Sequence, residues 1–164
     1  MSRYNRQGES TDFEAAHKKF NEDLERIDNM ILMILKNQII VERFMIAFLE
    51  VHGKDPKRFF FTSAKIDGCS DIDPPEVGKA NWDLLTLCSY VRNELAHSLD
   101  NEKLKVAIDA VRNAYLSVTD SEVQKESIRD VNDTQMVTSA LCHCGSLIVI
   151  ATENKIEVDK KKKL

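Results

Sequence analysis

Arg92, Asn93 and His97 are the residues of this chain whose types and spacing could do chemistry. They stand in Arg92-Asn93-Glu94-Leu95-Ala96-His97, at the end of an apolar-periodic run that begins near Asn81. On an α-helix, residues four apart lie one above the other, so Asn93 and His97 share a face and Arg92 sits one step round. A turn opening at the helix end would then present a guanidinium and an imidazole to one anion. Arginine carries a permanently charged fork that matches phosphate oxygens, and histidine exchanges a proton near neutral pH. The pair suffices for metal-free cleavage of RNA, in which the ribose 2′-hydroxyl attacks the adjacent phosphate and leaves a cyclic phosphate. His97 would serve as general base or acid, Arg92 would stabilise charge on the phosphate, and Asn93 would orient His97 or bond a phosphate oxygen. A structural reading is equally physical: Arg92 pairs with Glu94 or Asp100, and His97 caps the last carbonyls of its helix.

The elements that must hold these residues are helical. Trp82, Leu84, Leu85, Leu87 and Val91 precede the motif, and the whole run resembles the R-x4-H motif of HEPN domains, small helical bundles that include metal-independent ribonucleases of toxin, antiviral and RNA-processing type. Phe59-Phe60-Phe61-Thr62-Ser63-Ala64-Lys65-Ile66 is similar to the segment that precedes the motif helix in the mannitol-repressor-like branch, whose members are regulators. The resemblance covers roughly residues 20 to 118. It implies a homodimer with two motifs facing one another across a shared cleft, RNA as substrate, and catalytic roles for Arg92, Asn93 and His97. The tyrosine two residues after the histidine in one toxin branch is absent, since Ser98-Leu99 follows His97. The regulatory branch implies instead a non-catalytic module that binds a protein partner. An active nuclease needs Arg92 and His97 exposed in a cationic cleft, whereas a regulator can bury or pair them.

Composition limits these alternatives. The chain has 164 residues, 43% of them hydrophobic, which suits a single domain with a core of its own. With only 5 glycines and 3 prolines, it reads as all-α. A formal net charge of −4 is poor support for general nucleic-acid binding, so any RNA site must concentrate its cations locally. The leading residues are polar and lack the apolar centre of a signal peptide, and no uncharged apolar run reaches the length of a membrane span. The expectation is a soluble cytoplasmic protein with no membrane association. Cys69, Cys88, Cys142 and Cys144 read as reduced, buried thiols. Cys142-His143-Cys144 lacks a second ligand pair at zinc spacing, so no metal site and no cofactor are expected.

Taken in order, residues 1–10 read as a flexible lead, 11–158 as one helical domain and 159–164 as a basic tail. Thr11 or Asp12 is expected to cap a helical arm whose apolar positions, Phe13, Phe20, Leu24, Ile27, Ile31, Ile34 and Leu35, recur at three- and four-residue steps. The period continues to Gly53 as one helix or two, with a break or bend expected near Lys36 to Gln38. After the stop at Gly53-Lys54-Asp55-Pro56, residues 57–67 are expected to form a short helix laying Phe59, Phe60 and Phe61 on the core. Gly68 through Ala80 reads as a loop and Asn81 as the N-cap of the motif helix. A break spans Ser98 to Glu102. Leu104, Ile108, Val111 and Tyr115 mark the next helix, in which the repeated Arg112-Asn113 reads as coincidence. A last segment capped by Thr119 or Asp120 carries a heptad-like seam at 137, 141, 144, 148 and 151, with a hairpin over 148–158 as the lesser alternative. The expected architecture is an up-and-down bundle of four or five helices.

Overall fold

The computed structural model describes residues 7–97 and 101–162, and these form six α-helices and no strand. They are α1 (Gln7–Val51), α2 (Thr62–Ser70), α3 (Lys79–His97), α4 (Asn101–Ser117), α5 (Glu122–Asp130) and α6 (Asp133–Lys161), with a 3-10 turn at Pro56–Arg58. The all-α class holds, and the hairpin alternative gives way to a single helix through 148–158. Two helices stand where one last segment was expected. Ser121, not Thr119 or Asp120, caps α5, and Asn132 caps α6 by accepting from the Gln135 backbone N–H at 2.9 Å. Thr119 donates instead to the Tyr115 carbonyl at the end of α4.

α1 runs 45 residues without interruption, so the break expected near Lys36 to Gln38 is absent. Nothing there can break a helix. No Gly or Pro intervenes, Asn37 donates back to the Met33 carbonyl at 2.9 Å, and Gln38 turns into the core at 1% exposed. The helix already includes residues 7–10, assigned above to the flexible lead, and it extends about 67 Å. Along it the inward positions repeat in alternating steps of three and four. Ile34, Gln38, Val41, Met45 and Phe48 are all buried.

α6 packs alongside α1 in the most extensive helix pair of the fold, and its seam of Val137, Leu141, Cys144, Ile148 and Ala151 is buried as its spacing predicts. Gly145 lets the two axes approach: a Cβ there would stand 3.3 Å from Val41 Cγ2. The two helices run parallel. Met30 and Met33 share a groove with Asp133 to Gln135, and one turn or more further along both chains Val41 and Phe44 meet Gly145. α3 descends between them, α4 climbs back, and short α5 returns the chain to the start of α6. By length and composition α6 is apolar enough to cross a bilayer, yet many of its apolar residues are the ones it buries against its neighbours. It continues through Lys160 and Lys161, which favour a helix C-terminus, so residues 159–161, read above as tail, are helical.

The aromatic segment departs from expectation. Only Phe59 packs against the core, under Gly68, whose absent Cβ leaves room for the ring. Phe60 and Phe61 are 81% and 69% exposed and meet edge to face at 5.3 Å. α2 begins after them because Lys65, buried on α2, bonds the Phe60 carbonyl at 3.1 Å and Glu42 of α1 at 3.3 Å, while Thr62 donates to the other Glu42 oxygen. That polar anchor, rather than three rings, docks α2 on α1.

Candidate functional site

α3 positions the motif, and its buried stripe fixes which way each motif residue faces. Trp82, Leu84, Leu85, Cys88, Val91 and Leu95 face the core, which sets Arg92 at the edge of the buried face and turns Asn93, Ala96 and His97 to the outside. Because α3 stays helical through His97, no turn opens within the motif. At 3.6 residues per turn, Arg92 and His97 therefore point about 140° apart around the axis. Arg92 is half-buried and its Nη1 donates to Asn93 Oδ1 at 3.0 Å. The structure thus joins Arg92 to Asn93, and it keeps Asn93 and His97 exposed on one side of the helix. It does not bring Arg92 and His97 together within one chain. Asp100, the other partner considered for Arg92, and Ser98-Leu99 lie outside the described residues.

One carboxylate, that of Glu94, stands inside the motif. Glu94 is half-buried, and its Oε2 is sealed from solvent with no hydrogen-bond partner. The carboxylate lies against Tyr90, whose phenol it holds above the ordinary value near 10, through hydrogen bonding first and charge second. A groove of about 750 Å³ opens at this pole between α1, α3, α4 and α6. Met30, Met33, Leu95, Leu104 and Ile108 form its apolar floor, and among the described residues Lys105 is its one cation and Asp133 its one carboxylate. Leu95 is the motif residue that lines it. It is an apolar groove, not a cationic cleft.

No protein-family model, curated protein or solved structure matches this chain. The residues themselves therefore carry the functional reading.

Among the described residues no group of three or more His, Cys, Asp or Glu side chains is placed to hold a metal. Cys142, His143 and Cys144 illustrate why. Cys142 faces solvent, which corrects the expectation that all four thiols are buried. Cys144 is buried, its Sγ reaching the Asn81 carbonyl at 3.5 Å, and burial lifts its pKa to about 12. Burial does the same for Cys69, to about 12, and raises Cys88 as well, so these thiols stay protonated and inert.

His143 points between the helices. Its ring stands 5.5 Å from that of Tyr115 on α4, and its Nε2 lies 3.0 Å from Asn81 Oδ1 on α3. Asn81 uses its amide nitrogen on the Val77 carbonyl at 2.7 Å, so its oxygen faces the imidazole and Nε2 carries the proton. Asn81 is therefore no N-cap; it links α3 to α6. Desolvation lowers the His143 pKa below its ordinary 6.5.

Two polar groups escaped sequence reasoning. Arg112, dismissed above as a coincidental repeat, clasps α4 to the junction of α5 and α6: it donates to the Ile128 carbonyl, to the Val131 carbonyl at 3.4 Å and to Asp133 at 2.8 Å. Those carbonyls end α5, where four acceptors lack helical partners. The Glu42, Thr62 and Lys65 group was equally hidden, since both sets join residues some twenty positions apart with no local pattern to connect them.

Proposed function

We propose that this chain is a HEPN-like helical bundle working as a non-catalytic regulatory or protein-interaction module. The observation that carries this reading is the disposition of Arg92 and His97 on one unbroken helix. An arginine tied to its neighbour, a histidine about 140° away round the axis, and an apolar groove beside them do not make a phosphate-cleaving centre within one chain. The negative net charge and the buried Glu94 oxygen weigh the same way, because RNA binding rests on clustered cations.

A second reading has its own support. Asn93 and His97 are exposed on one side of α3, open to a second copy, and a homodimer could complete a composite site for metal-independent RNA cleavage of toxin or defence type. The test is incubation of the purified protein and its His97→Ala variant with labelled structured RNAs in EDTA, with the oligomeric state measured on the same samples. A non-catalytic module leaves the RNA intact in both. Cleavage by the native chain that vanishes in the variant, with the oligomer unchanged, would establish the nuclease instead.

A further inference from the structure

The inward repeat of α1 does not stop where the bundle ends. Below Ile34 it continues in the same alternating steps as Ile31, Ile27, Leu24, Phe20, His17 and Phe13, one uninterrupted heptad seam of which only the upper half is covered. Every described residue from 12 to 25 is exposed, with Phe13 71%, Phe20 63% and Leu24 46% open. A lone helix of this length exposing a heptad stripe lacks the partner that its pattern requires.

The residues flanking the seam say what kind of partner fits. One edge carries Glu14, Asn21 and Asp28, the other Ala16, Asp23 and Met30. Asp23 already has a partner within the chain, so the edge open to an incoming cation is that of Glu14 and Asp28. Glu14, Glu22 and Glu25 also line a shallow hollow of about 320 Å³ beside Phe13 and His17, where Lys18 is engaged by Glu22 at 3.8 Å. Charges at these edge positions select coiled-coil partners. Two antiparallel copies of the arm with Phe20 beside Leu24 would set Glu14 against Asp28, bringing like charges together.

We propose that the α1 arm, residues 13–28, is the docking surface for a basic amphipathic helix of another protein, with apolar residues on the seam and Lys or Arg along the edge that meets Glu14 and Asp28. This rests on the interaction-module reading and names its partner class. The partner helix would extend the seam that α6 occupies higher up, so the bundle and its ligand share one continuous apolar track along α1.

The test uses the full chain and a fluorescent three-heptad peptide with Leu at the seam and Lys at the edges, beside a Glu-edged counterpart and a scrambled Lys peptide. Fluorescence anisotropy is expected to show the Lys-edged peptide binding at least about ten-fold tighter than either control, weakening as salt rises. Phe20→Asp and Leu24→Asp, both at exposed positions, should abolish binding while thermal unfolding stays unchanged. Glu14→Lys with Asp28→Lys should shift the preference toward the Glu-edged peptide. Equal binding of all three peptides, or none by the Lys-edged one, would overturn the proposal. So would a native dimer in sedimentation that Phe20→Asp dissociates, because the arm would then serve a second copy. Failure here leaves the non-catalytic reading standing, since that reading falls only to His97-dependent RNA cleavage.

Discussion

Three consecutive phenylalanines occupy three different environments. Phe59 fills the space over Gly68, while Phe60 and Phe61 touch each other and water. Truncating a packed ring removes transfer energy and leaves a cavity, whereas truncating an exposed one removes little. Phe59→Ala is therefore expected to cost about 2 to 3 kcal/mol in urea unfolding, with Phe60→Ala and Phe61→Ala each within about 0.5 kcal/mol of the native chain. Equal losses at all three would restore the reading in which every ring lies on the core. The sequence could not separate them, because adjacent aromatics look alike until the start of α2 is known, and that start is set by Lys65 reaching Glu42 in a different helix. The candidate site divides in the same way. The position of the motif on a helix was legible from the apolar stripe before it. The separation of Arg92 from His97 was legible only once α3 proved to be helical to its end.

At the scale of the element, α1 shows what periodicity reports and what it does not. Its amphipathic spacing was legible from Phe13 to Leu49, but the polar cluster Lys36-Asn37-Gln38 read as a break. Polarity decides which face a residue takes; interrupting a helix needs Pro, Gly or a competing partner. Gln38 instead occupies a seam position, 1% exposed, with neither its Nε2 nor its Oε1 hydrogen-bonded. An unpaired buried amide costs its desolvation, and replacing it with an apolar group of like shape removes that cost. Gln38→Met is expected to stabilise the chain by about 1 kcal/mol, seen as a higher urea midpoint at unchanged m-value. A loss of stability would mean that the amide has a partner in solution. The same element explains why helix count was harder to read than helix class: α5 and α6 are separated by two residues, Val131 and Asn132, and the cap at Asn132 is a polar residue among many.

For the molecule as a whole, His143 ties three helices by one imidazole: it sits on α6, faces the Tyr115 ring on α4 and donates to Asn81 on α3. Because burial lowers its pKa in the folded state, folding disfavours the protonated ring. Above the unfolded value near 6.5 the ring is neutral in both states and its contribution is complete. As pH falls below that, the unfolded chain takes up a proton that the folded chain refuses, so stability declines until the folded pKa is passed. The titration of Glu76 and Glu122, held low by Asn154 and Lys125 respectively, belongs to a more acidic range and does not mask the effect. Urea unfolding between about pH 7.5 and 5.5 is expected to show the midpoint falling in the native chain and falling less in His143→Gln, whose amide can still donate to Asn81 without titrating. Parallel slopes in the two proteins would mean that His143 reaches solvent in the folded state and that the junction of α3, α4 and α6 is looser than its packing implies.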